Sequence, residues 1–204
     1  INIIDSPNDQ MVLCNKYNKL PDDFVPGNLV QVPDGYYVND GKDYRIDETV
    51  MSCFKSMADD AKDQGIGLKI ISGYRSNDYQ ANLHKSSAAR NGKEYADKYV
   101  ARPGHSEHET GLAIDINSVS SHFENTESFR WLQDNAHLYG FILRYPKGKE
   151  HITGFGYEPW HYRFVGIEIA SLIKEMDITF DEYCARHLRQ TDYVVHTSPT
   201  SGKM

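Results

Sequence analysis

Residues 47–72, DETVMSCFKSMADDAKDQGIGLKIIS, join a helical pattern to a strand pattern and so decide most about the fold. Apolar residues recur at the spacing of one helix face, and Gly65 and Gly67 close the pattern. The members of this apolar stripe are Val50, Phe54, Met57, Ala58 and Ala61. Residues 68–71, Leu-Lys-Ile-Ile, are a short and mostly apolar run that is typical of a buried strand. The stretch therefore predicts an amphipathic helix followed by a strand.

Strand and helix patterns continue along the rest of the chain. Further apolar runs predict strands at residues 112–116, 141–143 and 161–165. Helices are expected at residues 77–90, 127–138 and 167–176 and after Thr179, with Asn77 as one N-cap and Thr179 and Glu182 as a capping box. The strands alternate with long helices and loops without strict βαβ spacing. We therefore expect an α+β fold, a single domain with a small, mainly antiparallel central sheet flanked by helices.

The first 46 residues differ from the rest in composition. They are rich in Asn, Asp, Pro and Gly, with short runs typical of strands at residues 29–32 and 35–38. We interpret residues 1–46 as an extended N-terminal segment that wraps the main domain at residues 47–190. Residues 191–204 are expected to be a polar C-terminal tail.

Composition excludes several classes of protein. The chain has 204 residues, and 22 Lys and Arg against 29 Asp and Glu give a formal net charge of −7. A general nucleic-acid binder needs a basic surface, so that class is unlikely on charge alone. No apolar run reaches the roughly 18 residues of a membrane span. Because the chain begins at Ile1 without a signal-peptide pattern, we expect that any secretion signal or anchor has been removed, which does not indicate a cytoplasmic protein.

The cysteines do not form a recognisable framework. Cys14, Cys53 and Cys184 lie far apart and are odd in number, which argues against both a cysteine zinc site and a set of disulfides. We interpret them as structural or incidental thiols.

Polar residues interrupt two of the predicted strands and suggest a metal site. Asp115 sits inside the apolar run Leu-Ala-Ile-Asp-Ile, where a carboxylate is costly unless it is paired or binds a metal. His108 lies seven residues before it. Glu158 and His161 begin and end a second polar segment, EPWH, at the entrance to the strand predicted at residues 161–165. One Asp and two His leave a fourth position open, which is the arrangement of a catalytic zinc site. Asp115 could instead cap a helix or pair with an arginine, and His108 could be an ordinary loop residue.

Two other metal arrangements are disfavoured. His105 and His108 lie three residues apart, but no cysteine lies nearby to complete a structural site. A helical zincin needs a second histidine four residues after His108, and that position is Leu112.

Three motifs together resemble one known family. Residues 106–115, SEHETGLAID, are followed 43 residues after Asp115 by EPWH, which resembles the signature SxHxxGxAxD…ExxH of VanY-type D-alanyl-D-alanine carboxypeptidases. These are zinc peptidases that trim bacterial cell-wall peptides. Residues 72–76, SGYRS, with Gln80, and residues 15–26 are also similar to that family. Glu109 departs from the family, whose members often carry Gln there, but it is not a ligand position.

The resemblance implies a catalytic centre. His108, Asp115 and His161 would bind one zinc ion per chain, and Glu158 would act as the general base. Residues 47–190 would then be a zinc peptidase domain.

The resemblance also implies roles for residues around the metal. Arg75 would either clamp the terminal carboxylate of the substrate or stabilise the oxyanion, and a structural salt bridge is the alternative. Ser106 and Gln80 would hold the substrate end. Tyr145 and Trp160 would line the pocket, although Trp160 could equally belong to the core.

The expected activity is a zinc-dependent D,D-carboxypeptidase that removes the terminal D-Ala from peptidoglycan stem peptides or their precursors. Alternatives on the same scaffold are an L,D-carboxypeptidase acting on tetrapeptides and a dual enzyme that also cleaves D-Ala-D-Ala. A non-catalytic cell-wall binding module is the alternative from another class. The family implies a location outside the membrane, with an N-terminal tether absent from this sequence, or else a cytoplasmic dual-activity relative. A monomer is the default expectation, and a resistance or a housekeeping role stays open.

Overall fold

The computed structural model describes residues 1–42 and 44–187. The strands are β1 (Asn2–Ile3), β2 (Asn18–Lys19), β3 (Leu29–Gln31), β4 (Arg45–Asp47), β5 (Ile70–Ser72), β6 (Ala113–Ile116), β7 (Phe141–Leu143) and β8 (His161–Phe164). The α-helices are α1 (Glu48–Asp63), α2 (Asn77–Asn91), α3 (Lys93–Tyr99), α4 (Glu127–Asn135), α5 (Glu150–Thr153), α6 (Ile167–Met176) and α7 (Phe180–His187). Among these helices, none combines the length and the apolar character that crossing a bilayer requires.

The central sheet has four strands in the order β5-β6-β8-β7, and each neighbouring pair is antiparallel. This confirms the predicted α+β fold with a small antiparallel sheet. The strands β6 and β8 occupy the middle, and every residue of both is buried. Polar side chains on these two strands are therefore held away from bulk water.

Helix α1 forms as its apolar stripe predicts. All five residues of the stripe are buried, and they join a core that also contains Ile70, Ile114 and Phe141. A second, smaller core forms where α6 and α7 pack on the other side of the sheet around Phe180. Thr179 and Glu182 make the capping box that the sequence predicts for α7, with Thr179 Oγ1 accepting from the backbone N–H of Glu182 at 3.1 Å.

Strand β5 begins two residues later than predicted, at Ile70. Its partner β6 ends at Ile116, and Asn117 follows in the left-handed region at φ +61°. The Asn117 side chain then accepts a hydrogen bond from Lys69 N at 2.7 Å, while the backbone N–H of Asn117 donates to Lys69 O at 2.9 Å. The sequence of residues 68–71 alone does not show where the partner strand stops.

The start of α2 differs from the prediction by one residue. Ser76, not Asn77, is the N-cap, because its extended backbone lets Oγ accept from the N–H of Tyr79 at 3.2 Å. Asn77 is the first helical residue, and its side chain donates to Glu109 Oε2 at 3.0 Å. The helix ends at Asn91, one residue beyond the expected range, with Gly92 as its C-cap.

The helix predicted at residues 127–138 divides in two. Helix α4 ends at Asn135, and a 3-10 turn, Ala136–Tyr139, carries the chain to Gly140 at φ +86°. A β-carbon at Gly140 would lie 2.6 Å from Phe164 Cε2, so the tight turn packs directly on β8. Helices α3 and α5 were not predicted, because α3 buries only Ala96 and α5 has four residues.

The N-terminal segment pairs mostly with itself. Strand β1 runs parallel to β2, and β3 pairs antiparallel with β4, whose last residue, Asp47, starts helix α1. The division between residues 1–46 and 47–190 thus falls inside β4 and stays a prediction. Residues 188–190 and the expected tail at residues 191–204 lie outside the described residues.

Asp47→Ala is expected to lower the free energy of unfolding by about 1 kcal/mol, the typical value of an N-cap. The Asp47 carboxylate accepts from the backbone N–H groups of Thr49 and Val50 at 2.7 and 3.2 Å and also contacts the side chain of Asn28. Urea denaturation of the zinc-free protein measures the loss. Ser52→Ala, on the exposed face of the same helix, is the control, and an equal midpoint for both variants would contradict the capping role.

Candidate metal centre

The strand register brings Asp115 and His161 together. Asp115 on β6 pairs directly with His161 on β8. Two positions further along each strand, Ala113 pairs with Arg163. Because side chains alternate along a strand, these four residues share one face of the sheet. Asp115 Oδ1 lies 3.5 Å from His161 Nδ1. The pairing therefore joins two sequence motifs that are 46 positions apart.

His108 reaches the same carboxylate from a 3-10 helix, Glu107–Thr110, that precedes β6. Gly111 ends this helix at φ +74°, in the left-handed region, and turns the chain into the strand. His108 Nδ1 lies 2.8 Å from the carbonyl oxygen of Gly73, which accepts the ring N–H. The other nitrogen, Nε2, then presents its lone pair 3.3 Å from Asp115 Oδ1.

His108, Asp115 and His161 fit a zinc ion. Each contributes one ligand atom, the three atoms lie within 4.8 Å of one another, and all three residues are buried. Ligand atoms at about 2.0–2.1 Å from a tetrahedral zinc lie roughly 3.3 Å apart, close to the separations above. Asp115 Oδ1 has no hydrogen-bond partner among the described residues, although it is buried. Two nitrogens and one oxygen leave a fourth position for water or substrate.

Neighbouring groups set the charge of each candidate ligand. Burial, reinforced by nearby Arg75, lowers the pKa of His108 to about 4, so this ring is neutral at pH 7. Burial opposes ionisation of Asp115, but His108 and Arg75 outweigh it and hold the pKa of that carboxyl below its usual range. Burial would also lower the pKa of His161, yet contacts with Glu107, Glu158 and Asp115 raise it to about 9. The excess of carboxylates around His161 shows that this centre attracts positive charge.

Glu158 lies beside the three candidate ligands. Its backbone N–H donates to the carbonyl oxygen of Tyr145 at 3.2 Å, and Oε2 lies 3.4 Å from His161 Nδ1. Burial raises the pKa of Glu158 above its ordinary value, and the contact with His161 only partly offsets this. A buried carboxyl group of raised pKa next to a metal centre has the properties of a general base.

Arg75 makes the salt bridge that the sequence left as an alternative. Its Nη2 lies 2.8 Å from Asp115 Oδ2, and Nε and Nη2 both donate to Ser72 Oγ. The guanidinium side chain keeps 18% of its surface exposed and lines the cleft beside His108. The contact with Asp115 holds the positive charge in place without removing it from the cleft.

A cleft of about 270 Å³ lies over the centre. All of the residues proposed for the substrate line it, namely Arg75, Gln80, Ser106, Tyr145 and Trp160. Gln80 Nε2 donates to the carbonyl oxygen of Ala101 at 2.7 Å, which fixes the amide. The Tyr145 ring lies 4.8 Å from the His161 ring, whereas Trp160 both lines the cleft and packs against the main core. The two interpretations of Trp160 are thus compatible.

A buried charge cluster on the same face of the sheet as Asp115 and His161 was missed in the sequence. Glu107 Oε1 accepts from Arg144 Nε at 2.7 Å and from Arg163 Nη1 at 3.1 Å, and Arg144 Nη1 donates to Asp181 Oδ2 at 2.6 Å. The two arginine side chains are fully buried. The sequence did contain a signal for this cluster. Arg144 directly follows the apolar run Phe-Ile-Leu and Arg163 lies inside His-Tyr-Arg-Phe, and an arginine in a buried strand needs a carboxylate partner. Each lies far from its partners in sequence.

His105 lies apart from this centre. Its Nδ1 is 2.7 Å from the carbonyl oxygen of Asn15, and it does not belong to the described group of candidate ligands. The i, i+3 pair with His108 therefore does not form a joint site.

Comparison with known proteins identifies the family. A profile described as "VanY: D-alanyl-D-alanine carboxypeptidase" matches residues 43–167, which include every candidate ligand. The chain belongs to the VanY family. This VanY-family chain is 43% identical to YodJ of Bacillus subtilis (strain 168) over 188 residues, which cover 88% of the chain and 68% of YodJ. It is 38% identical to VanXYC of Enterococcus gallinarum, a bifunctional D-Ala-D-Ala dipeptidase and carboxypeptidase, over 57% of the chain and 65% of that relative.

Two solved structures resemble the VanY-family chain closely. The LdcB LD-carboxypeptidase matches with a TM-score of 0.84 and 40% identity, covering 90% of this chain and 89% of LdcB. A mutant of VanY, a vancomycin-resistance D,D-pentapeptidase, was solved in complex with Zn(II) and matches with a TM-score of 0.72 and 34% identity. That comparison covers 85% of this chain and 98% of VanY. The sequence profile and the similar solved structures therefore indicate the same family and the same fold.

Proposed function

We propose that this chain is a zinc carboxypeptidase that removes the terminal D-Ala from peptidoglycan stem peptides, acting as a D,D-carboxypeptidase on pentapeptides. The observation that carries the proposal is the buried group of His108, Asp115 and His161 with Glu158 beside it, at the base of a cleft. The VanY relative solved with Zn(II) supports the choice of metal. A cell-wall binding module would have no use for a buried base beside three ligands.

Each residue of the centre has a role in peptide hydrolysis. Bound zinc supplies Lewis acidity, which lowers the pKa of water to about 7. Glu158 takes the proton from the attacking water and returns it to the amine of the leaving D-Ala. Glu158 itself is buried, which limits the access of bulk solvent to its carboxylate.

Arg75, Ser106 and Gln80 bind and orient the peptide end. The guanidinium of Arg75 can pair with a carboxylate or with the negative charge that forms on the scissile carbonyl oxygen. Its anchoring by Ser72 and Asp115 restricts the group before substrate binds, which reduces the entropy lost on binding. The acidic net charge of the chain does not oppose an anionic substrate, because Arg75 and a divalent cation set the local potential.

An L,D-carboxypeptidase acting on tetrapeptides is the second candidate. The specific observation in its favour is the similarity to LdcB, which exceeds that to VanY in both TM-score and identity. A dual activity on free D-Ala-D-Ala is supported by VanXYC. All three reactions use the same metal and base and differ in how the cleft wall accepts the residue before the scissile bond.

Product analysis separates these activities. The purified chain is incubated separately with stem pentapeptide, stem tetrapeptide and D-Ala-D-Ala, and the products are identified by mass spectrometry. We expect the pentapeptide to lose one D-Ala while the tetrapeptide persists. A shortened tetrapeptide with intact pentapeptide would contradict D,D specificity and favour the L,D activity. If no substrate is cleaved by the zinc-loaded protein, the enzymatic proposal itself is wrong.

The cellular setting is proposed on the same grounds. A substrate in the cell wall implies a location in the bacterial envelope, with a membrane tether outside this sequence, and a cytoplasmic location fits only the dual activity on precursors. Stem peptides are the proposed partners, and we propose a monomer.

A further inference from the structure

Glu107 is the buried carboxylate that the proposed mechanism does not use. It lies one residue before the candidate ligand His108, and its side chain has no exposed surface. Arg144 and Arg163 both donate to the same oxygen, Oε1. The second oxygen, Oε2, has no hydrogen-bond partner among the described residues. A buried carboxylate oxygen held in place and left unpaired needs an explanation.

The atom facing Glu107 Oε2 is the far ring nitrogen of His161. His161 Nε2 lies 3.7 Å from Glu107 Oε2, and it too is buried and lacks a hydrogen-bond partner in the described part of the chain. The other ring nitrogen, Nδ1, faces Asp115 and Glu158 at 3.5 and 3.4 Å. The two unpaired atoms thus face each other behind the metal centre, slightly beyond hydrogen-bond distance.

Ligand chemistry explains this pairing. A neutral imidazole that binds a metal through Nδ1 carries its hydrogen on Nε2, and a buried N–H needs an acceptor. Carboxylates commonly accept that hydrogen bond from metal-bound histidines, where they fix the tautomer and the orientation of the ring. A movement of a few tenths of an ångström by His161 would bring Nε2 within hydrogen-bond distance of Oε2.

We propose that Glu107 is a positioning residue, which accepts a hydrogen bond from His161 Nε2 and thereby holds Nδ1 toward the metal. This inference rests on the proposed zinc site. Arg144 and Arg163 anchor Glu107 through its other oxygen, and Asp181 in turn pairs with Arg144. Within this buried cluster, Glu107 is therefore the member that orients a metal ligand.

The test is the zinc affinity of Glu107→Gln, measured on the full chain by competition with a chromogenic chelator. Removing the carboxylate behind a metal-bound histidine typically weakens metal binding by about 10–100-fold, and we expect a loss in that range. The absorption spectrum of the Co²⁺-substituted protein is expected to change as well, because it reports the geometry of the ligands directly.

Asp181→Asn is the matched control. It removes a carboxylate from the same buried Arg144, so it perturbs the charge cluster without facing His161. We expect its zinc affinity and its Co²⁺ spectrum to match those of the unchanged protein, even where the zinc-free protein unfolds more easily. Equal zinc affinity in Glu107→Gln and Asp181→Asn would overturn the proposal.

Glu107→Asp covers the case in which Glu107→Gln does not fold. It keeps the charge that faces the arginines but withdraws the carboxylate from His161 by one methylene, so weaker zinc binding is again expected, and unchanged binding overturns the proposal. The proposed function fails separately, because in that case the unchanged protein itself would bind no zinc.

Discussion

Glu158→Gln is expected to lower kcat by about 10²–10⁴-fold while zinc stays bound. The amide is nearly the same size as the carboxylate but cannot take a proton from water, so the substitution removes the proposed base and little else. Glu158 is not among the three candidate ligands, although its Oε2 lies 3.4 Å from His161 Nδ1. Release of D-Ala measures turnover, and elemental analysis measures zinc per chain.

Glu168→Gln, on the exposed face of α6, controls for the loss of one negative charge. It is expected to retain full turnover. If Glu158→Gln retained more than about one tenth of the kcat with zinc bound, the assignment of Glu158 as the base would be wrong. Loss of zinc together with activity would instead show that Glu158 supports the metal.

Asp115→Asn is expected to abolish the stabilisation that zinc gives to the folded chain. A ligand that binds only the folded state stabilises it by about 4 kcal/mol at 1,000 times Kd, which for a chain of this size corresponds to a rise in Tm of roughly 10 °C. Asp115 contributes the single oxygen and the single negative charge to the candidate ligand set. Its loss should weaken zinc binding by more than the 10–100-fold typical of residues behind a ligand.

Thermal unfolding with and without added zinc measures this effect. The unchanged protein should show the rise in Tm, and Asp115→Asn should show none. Asp59→Asn, whose carboxylate pairs with Lys55 at the surface, should respond to zinc like the unchanged protein. A full zinc-dependent rise in the Asp115→Asn variant would remove Asp115 from the ligand set.

The sequence was most informative where local patterns decide the structure. The apolar stripe of α1 and the capping box of α7 depend on residues three or four apart, and both form as expected. Asp115 could also be named as a candidate ligand, because a carboxylate in an apolar run carries a cost that can be seen without knowing its neighbours. The cap of α2 was misplaced by one residue, since Ser76 and Asn77 are both good N-cap residues.

Sequence reasoning failed where partners are distant. Asp115 and His161 lie side by side because of the register between β6 and β8. The sequence of either strand alone does not specify that register. The role of Glu107 depends on arginines 37 and 56 positions away, and no local rule connects them. The resemblance to the VanY family indicated which residues are candidates for the site but did not explain how they come together. The pairing of β6 and β8 in the central sheet gives that explanation.

The buried charge network also ties residues 10–15 to strand β8 and helix α7, and this affects how the protein folds during synthesis. Arg163 Nη2 donates to the carbonyl oxygens of Gln10 and Val12, and Asn15 donates to Asp181 on the last described helix. These contacts span more than 150 residues, so loop closure must precede them and slows folding. During synthesis, at about 5–20 residues per second, the first residues wait many seconds for their partners. A nascent chain whose α7 has not yet left the ribosome therefore lacks the contacts of Asp181, so the buried charge network is completed only after residues up to Asp181 have been made.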